Sequence, residues 1–345
     1  MSGSTAEQWR SRGEYFTWGP GGSAAEVEIF HIEAGDPEAP PLLMVHGFPT
    51  SSIDWVEVID RLSERFRVCA LDFPGYGFSD KPRGWGYSLF RDAQLLAHYL
   101  TEVIGTERAT VFAHDRGDSV ALILAGGHAG KGAAVEVERL YLTNANIFLP
   151  MSNLTAAQRM ILSEETAPTV LDQATPELLA QGMGASTFFP PRGGDDPAIQ
   201  ALAETFAHDD GIKVMHETIQ YLVERSQDET SWLESLAASD VPTTLIWGLN
   251  DTVSPPRVAN WVWKEHLMLK PGRNSLYYVA DAGHYLQNDR PDAVVDAIFH
   301  ALDAGEEAEP GAIEPTAGAP VLVDRSRDRV KTGPEILAEG PPPAG

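Results

Sequence analysis

Residues 111–125 read VFAHDRGDSVALILA, two apolar runs joined by a polar turn. The first run predicts a buried strand and the second a helix, and the sharp change between them is typical of a nucleophile elbow, G-x-nucleophile-x-G. Its five slots hold Ala113, His114, Asp115, Arg116 and Gly117. The nucleophile slot therefore holds a carboxylate in place of Ser or Cys. The alternative is that Asp115 only caps the helix that follows.

Length and charge narrow the class of protein. The 345 residues, 43% of them hydrophobic, suffice for one large α/β domain with an insertion or for two domains. A net charge of -25 repels nucleic acid and anionic membranes. Cys69 is the single cysteine, so neither a disulfide framework nor a cysteine metal site is predicted. The first residues lack the apolar core of a signal peptide, and no apolar run reaches transmembrane length. We expect a cytoplasmic protein without nucleic-acid or membrane partners.

Short apolar runs alternate with helical stretches along most of the chain. Continuous apolar runs are typical of strands buried on both faces of a parallel sheet, and their alternation with helices predicts an α/β fold with a mostly parallel, doubly wound sheet. The predicted neighbouring strands are 41–46, 68–72, 109–114, 137–143, 243–247 and 275–280.

The alternation breaks in the middle of the chain. Residues 147–236 contain helical stretches and no convincing buried strand, which predicts a helical cap inserted into a core of residues 14–146 and 237–303. Residues 1–13 are polar and are predicted to be flexible. Residues 304–345 are rich in Ala, Gly, Pro and Glu and are predicted to form a disordered acidic tail.

Two later loops supply partners for Asp115. Asp251 follows the strand at 243–247, and His284 follows the strand at 275–280. The order nucleophile, acid, histidine is that of the α/β hydrolases, and all three residues fall at the carboxyl ends of strands, where sites gather in open α/β sheets. Separately, Asp251 could cap its loop and His284 could start a helix. Together they predict a catalytic triad.

Long motifs carry a resemblance to a known family. From Tyr15 to Leu302 the chain resembles the Asp-nucleophile branch of the α/β-hydrolase superfamily, which includes epoxide hydrolases, haloalkane dehalogenases and fluoroacetate dehalogenases. It is most similar to the subgroup named for the mesoderm-specific transcript protein. The similarity lies in HGFPTSSIDW (46–55), ALDFPGYGFSDKP (70–82) and AHDRGD (113–118).

The resemblance implies a cofactor-free and metal-free mechanism that the residues also support. Asp115 would attack an electrophilic carbon of a small-molecule substrate and form an ester. His284, oriented by Asp251, would activate the water that hydrolyses this ester. The backbone N–H groups of Phe48 and Arg116 would form the oxyanion hole.

The leaving group is less well defined by the motifs. The positions of the usual halide donors of haloalkane dehalogenases hold Phe48 and Arg116, so neither donor is present. Epoxide hydrolases often use two cap tyrosines, and the cap here has one, Tyr221. Fluoroacetate dehalogenases share Arg116 but have a second arginine where this chain has Ser119. We predict that Arg116, Tyr221 and Trp55 bind substrate.

Three functions therefore remain as hypotheses. We favour epoxide hydrolysis, with haloalkane or haloacid dehalogenation by the same nucleophile as the alternative. A catalytically idle binding protein of the same fold is the third. The Arg116 side chain is either an anion contact or the salt-bridge partner of Asp118 or another acid. Asp118 itself is explained by the helix dipole, and the sequence leaves a homo-oligomer open.

Overall fold

The computed structural model describes residues 4–21, 25–127, 135–303, 310–313 and 318–326, and a sheet forms its centre. Within these residues the 10-stranded sheet has the order β1-β2-β4-β3-β5-β6-β7-β8-β10-β9. The strands are β1 (Glu14–Trp18), β2 (Val27–Ala34), β3 (Pro41–Val45), β4 (Arg67–Leu71), β5 (Arg108–His114), β6 (Glu136–Thr143), β7 (Thr243–Gly248), β8 (Ser275–Val279), β9 (Gly311–Ala312) and β10 (Val321–Arg325).

The six predicted parallel strands are confirmed as β3 to β8. They lie side by side in the order β4-β3-β5-β6-β7-β8, and each neighbouring pair is parallel. Their apolar runs are buried because helices cover both faces of such a sheet. The elbow strand β5 lies between β3 and β6. Because β5, β7 and β8 run in the same direction, the loops that follow them lie at the same edge of the sheet.

Helices connect and cover these strands. The α-helices are α1 (Thr5–Arg12), α2 (Ile59–Leu62), α3 (Leu89–His98), α4 (Arg116–Ala125), α5 (Ala156–Leu162), α6 (Ala167–Gln173), α7 (Pro176–Thr187), α8 (Pro197–Ala207), α9 (Met215–Thr218), α10 (Tyr221–Ala238), α11 (Arg257–Val262), α12 (Leu286–Asp289) and α13 (Pro291–Asp303). Between β6 and β7, where every residue is described, the chain forms helices and loops but no strand. We call residues 144–242 the insertion.

The N-terminal segment was predicted to be flexible, and this prediction is wrong for residues 5–12. Ser4 and Glu7 form a capping box that starts α1. Trp9 is buried, and its indole N–H donates to Ser52 Oγ at 3.1 Å. Ser4 Oγ also donates to Glu204 in the insertion, at 2.6 Å. The segment is polar on average, so its composition did not indicate that one large aromatic side chain, Trp9, is buried. This burial holds the helix against the core and the insertion.

The tail contains a second departure from the prediction of disorder. Strand β10 pairs antiparallel with β8, with Val321 opposite Tyr278, and Leu322 is buried. A free β8 edge would present unpaired N–H and C=O groups, and β10 covers it. The short β-forming run Val321-Leu322-Val323 thus forms a strand, although the composition of the surrounding tail is typical of a disordered segment. The other tail residues, 304–309, 314–317 and 327–345, lie outside the described part of the chain.

In the described part of the chain, no helix combines the length and the apolar character needed to cross a membrane.

Strand β10 gives the first testable prediction. Leu322→Asp places a charge in a buried position and should release β10, so the β8 amides that face it should exchange faster with deuterated water. Val323→Asp is the matched control, because the Val323 side chain is 37% exposed. Hydrogen-exchange mass spectrometry of peptides covering 275–279 measures both variants. Unchanged protection in Leu322→Asp would show that β10 does not shield β8.

Candidate active site

The elbow places Asp115 between β5 and α4 in a strained backbone conformation. Its φ is 52° and its ψ is -114°, a region that residues other than Gly rarely adopt. Close packing enforces this turn. A Cβ on Gly117 would lie 2.4 Å from the Val45 carbonyl oxygen, and a Cβ on Gly47 would lie 2.7 Å from Asp115 Cβ. Glycine is therefore required on both sides of Asp115.

Asp115 does not cap the helix that it precedes. Its side chain makes no capping hydrogen bond to α4. Instead Asp115 Oδ1 accepts a hydrogen bond from the Phe48 backbone N–H at 2.9 Å, while Oδ2 has no hydrogen-bond partner among the described residues. One oxygen is thus fixed by the backbone, and the other is available.

The structure brings the three predicted triad residues together. His284 Nε2 lies 3.6 Å from Asp115 Oδ2, and His284 Nδ1 lies 3.0 Å from Asp251 Oδ2. Asp251 Oδ1 accepts from the backbone N–H groups of Val253 and Ser254 at 2.7 and 2.9 Å. Asp251 therefore caps its own loop with one oxygen and orients the imidazole with the other.

Burial and charge set the protonation of this cluster. Burial by itself would lower the pKa of His284, but the Asp251 carboxylate and the contacts to Asp115 outweigh it and raise the pKa to about 10. Burial likewise opposes ionisation of Asp115, yet the neighbouring His284 holds the pKa of this carboxyl well below its ordinary range. At neutral pH the resting site therefore contains an Asp115 carboxylate beside a His284 imidazolium.

The two predicted oxyanion-hole donors differ in the structure. The Phe48 N–H already points at Asp115. For the Arg116 backbone N–H, no hydrogen bond is found within the described residues, so its role stays a prediction.

The Arg116 side chain forms a buried ion pair. Its guanidinium pairs with Asp92 of α3, and both side chains are buried. Asp92, and not Asp118, is therefore its salt-bridge partner. Arg116 Cζ also lies 5.2 Å from the ring centroid of Tyr76 and 5.5 Å from that of Tyr221. The Nε and Nη1 atoms of Arg116 have no partner among the described residues.

Tyr221 and Trp55, the other predicted substrate contacts, have different surroundings. Tyr221 is buried, its ring lies 5.7 Å from the Phe48 ring, and its hydroxyl has no hydrogen-bond partner in the described structure. The Trp55 ring lies 4.8 Å from the Phe112 ring of β5, in the core beneath the elbow. This position explains Trp55 by packing, and a contact with substrate stays a prediction.

Sequence reasoning missed two residues that hold the His284 loop. Asn144 Nδ2 donates at 2.7 Å to the carbonyl oxygens of Gly283 and His284, and its Oδ1 accepts from the Gly248 N–H at 2.9 Å. His114 Nε2 donates to the same His284 carbonyl at 2.9 Å. Asn144 follows β6 directly, so its position at the carboxyl end of a strand was a usable signal.

Sequence reasoning also missed how the insertion reaches the site. The His284 N–H donates to the Thr187 carbonyl of α7 at 2.8 Å. From the next long helix, α10, the fully buried Arg225 donates through Nε to Ser119 Oγ of α4 at 2.9 Å. Helical periodicity predicted that Arg225 lies in the insertion, but it gave no reason to expect its side chain to contact α4.

The site is closed to solvent in this conformation. Asp115 is 1% exposed and His284 is 3% exposed. A crevice of about 10 Å³ lies between the glycine-rich loop after β4 and the insertion, with Tyr76, Lys81 and Met215 among its lining residues, and neither Asp115 nor His284 lines it.

Comparisons with known proteins identify the family of the fold. A family model described as alpha/beta hydrolase fold matches residues 40–291. The mesoderm-specific transcript homolog protein of Homo sapiens is 30% identical over 257 residues, covering 72% of this chain and 73% of that protein. LipZ of Mycobacterium tuberculosis is 28% identical over 302 residues, covering 88% of this chain and 99% of LipZ. The structure of haloalkane dehalogenase DbeA from Bradyrhizobium elkani is similar in fold, with a TM-score of 0.67, 22% identity and coverage of 85% and 100% of the two chains.

The protonation of His284 gives the second prediction. Its imidazole should stay charged up to a pKa of about 10, and Asp251→Asn should lower that pKa because it removes the carboxylate charge. The stabilisation from this raised pKa is complete below about 6.5, the ordinary value, and is lost as pH rises towards 10. NMR titration of labelled histidines measures the pKa directly. His114 is the internal control, since burial lowers its pKa to about 3, and a His284 pKa near 6.5 would contradict the expectation.

Proposed function

Because the chain belongs to the α/β-hydrolase fold family, we propose that this hydrolase acts through a covalent ester on Asp115 and that its substrate is an epoxide. One observation carries the proposal. The elbow carboxylate has one oxygen held by the Phe48 N–H and the other oxygen free beside His284, which is itself held by Asp251. This arrangement suits a carboxylate nucleophile with a separate base.

In the first step, Asp115 Oδ2 attacks one carbon of the epoxide. A C–O bond forms, the ring C–O bond breaks, and its electron pair stays on the ring oxygen as an alkoxide. The carboxylate needs no prior deprotonation, because His284 keeps the pKa of Asp115 well below neutrality after the opposing effect of burial.

Two buried phenols support the transfer of a proton to this alkoxide. Tyr221 comes from α10 and Tyr76 from the loop after β4, and neither hydroxyl makes a hydrogen bond within the described structure. Both rings lie against Phe48, with centroid distances of 5.7 Å for Tyr221 and 6.4 Å for Tyr76. Tyr76 thus supplies from the core the second tyrosine that the insertion lacks.

The resting protonation of His284 suits an epoxide substrate. An alkoxide is a strong base, so it takes one proton from a phenol. Once the ring has opened, the imidazolium of His284 is the source of the proton that restores the phenol. The first step then ends with a neutral imidazole, which is the form needed as the base of the second step. A departing halide accepts no proton, and in that reaction the loss of the Asp115 charge on ester formation lowers the pKa of His284 and so allows the imidazolium to lose its proton.

In the second step, neutral His284 takes a proton from a water molecule, and the resulting hydroxide attacks Asp115 Cγ. The charge that develops on Oδ1 faces the Phe48 N–H, already 2.9 Å from that oxygen. Collapse breaks the bond between Cγ and Oδ2, and the carboxyl proton goes to the departing oxygen. The products are a diol, an ionised Asp115 and a protonated His284, as at the start.

Other reactions of the fold suit this site less well. Attack of a carboxylate on an ester substrate would give an anhydride, so an acyl-transfer reaction gains nothing from Asp in the nucleophile slot. Hydrolysis of a carbon–halogen bond by the same first step is the second candidate, which the carboxylate nucleophile itself favours.

Trapping the ester tests the proposal. His284→Gln should allow the first step and block the second, so substrate should accumulate on Asp115 as one adduct with a single-turnover burst. A panel of epoxides and haloalkanes of matched carbon number, followed by mass spectrometry, identifies the class. An epoxide adds its whole mass, whereas a haloalkane adds its mass less that of the hydrogen halide.

The controls for trapping follow from the same mechanism. Asp115→Ala should give no adduct. In heavy-oxygen water, a single turnover of the unmodified protein should label the Asp115 peptide and leave the diol unlabelled. Label in the first-turnover product would mean that water attacks carbon directly and that Asp115 acts as a base.

Replacement of the phenol tests the choice of epoxide. In the His284→Gln background, Tyr221→Phe should slow ester formation from an epoxide by ~100-fold or more, the usual contribution of a general acid. Ester formation from a haloalkane should change little, because a halide needs no proton. Rapid-quench mass spectrometry measures both rates. Tyr99→Phe is the matched control, since Tyr99 is fully buried and its hydroxyl contacts His31; equal slowing of both substrates would count against the acid role.

A further inference from the structure

Arg225 is a buried cation without a carboxylate partner. Its side chain in α10 is 0% exposed, and no acid forms an ion pair with it among the described residues. Nε donates to Ser119 Oγ at 2.9 Å and Nη1 donates to the Asn146 carbonyl oxygen, while Nη2 has no partner there. Burying an unpaired charge is costly, so stability alone gives no reason for an arginine at this position.

The contacts of Arg225 place it beside the nucleophile. Ser119 lies in the first turn of α4, four residues after Asp115, the residue that directly precedes this helix. Arg225 Cζ also lies 4.9 Å from the ring centroid of Tyr221, and that ring packs on Phe48, the residue whose N–H holds Asp115.

Further unpaired donors gather around the same tyrosine ring. Arg116 Cζ lies 5.5 Å from the Tyr221 centroid, and its Nε and Nη1 atoms have no partner in the described structure. The Tyr221 hydroxyl has none either. Two guanidinium groups and a phenol thus present N–H and O–H groups to one buried region next to Asp115.

Three acids, Asp115, Asp118 and Glu229, interact with the Arg225 charge, but none of them forms an ion pair with it within the described structure. Asp118 is buried, and burial and the charge of Asp115 raise its pKa well above the ordinary value, which disfavours its ionised form. Glu229, one turn along α10, accepts a hydrogen bond from the Leu149 N–H at 3.0 Å. Asp92 pairs with Arg116, and Asp115 is the nucleophile.

The geometry points to a substrate that carries a carboxylate, bound by Arg225 Nη2 and the free N–H groups of Arg116 while Asp115 attacks the adjacent carbon. This inference rests on the proposed function and specifies its substrate class as epoxy acids. A planar carboxylate matches guanidinium donors in geometry and charge. A neutral apolar epoxide would leave several buried donors unpaired, so the site should discriminate against it.

A matched pair of small probes tests this inference. Glycidate carries the carboxylate next to the epoxide, and glycidamide replaces it by a neutral amide of the same shape. The unmodified protein should have the higher kcat/KM for glycidate. In Arg225→Gln the ratio of the two kcat/KM values should fall by ~10- to 100-fold, the range for one charge-assisted hydrogen bond.

Two variants keep this test interpretable. Arg225→Lys keeps a cation but loses the guanidinium, so it should retain part of the preference and remain folded if Arg225→Gln does not. Arg257→Gln is the matched control: Arg257 also links the insertion to the core, through the Met151 carbonyl and Asn153 Oδ1, but it is exposed and outside the site. It should leave the ratio unchanged.

An equilibrium measurement separates this inference from the proposed function. Glycerate, the diol product of glycidate, should raise the Tm of the unmodified protein and of Arg257→Gln but not that of Arg225→Gln. If neither epoxide forms an adduct in His284→Gln while glycerate still binds through Arg225, the proposed reaction fails and the carboxylate site stands. Equal activity of the unmodified protein on both probes, or glycerate binding that ignores Arg225, would overturn the carboxylate site.

Discussion

Three buried charges in a row, Asp115, His284 and Asp251, impose the strictest condition on this structure. A buried charge is destabilising unless it is paired and hydrogen-bonded. Here the central imidazolium faces one carboxylate on each side, at 3.6 and 3.0 Å. The outer carboxylates are in turn fixed by backbone N–H groups, those of Phe48 for Asp115 and of Val253 and Ser254 for Asp251. The charges are therefore stable only while three separate loops stay in register.

That register depends on contacts that have no chemical role of their own. Asn144 links the ends of β6, β7 and the His284 loop, and His114 holds the same loop from the elbow strand. Gly117 allows α4 to approach β3 closely enough to turn Asp115 into the site. These contacts leave little freedom for the triad, which is what a preorganised site requires.

The insertion contributes a different kind of constraint. It brings Arg225 and Tyr221 onto α4 and Phe48, and it binds the His284 loop through Thr187. The N-terminal helix and strand β10 then secure the periphery, against α8 and β8 respectively. Composition predicted both termini to be flexible, because one Trp or one Leu changes the average composition of a segment very little. A single buried side chain is nevertheless enough to hold a short helix or strand in place.

The sequence by itself determined the parallel sheet, the elbow and the identity of Asp115, Asp251 and His284. Each of these is a local signal: an apolar run, a turn of small residues, or a polar residue directly after a strand. Tertiary structure alone decided that Arg116 pairs with Asp92, that Tyr76 joins Tyr221 beside Phe48, and that Arg225 lies next to Ser119. The reason is physical. Arg116 and Asp92 are 24 residues apart in the chain, and Arg225 and Ser119 are 106 residues apart. Only the packing of the insertion and α3 against α4 sets which charged groups share one buried region.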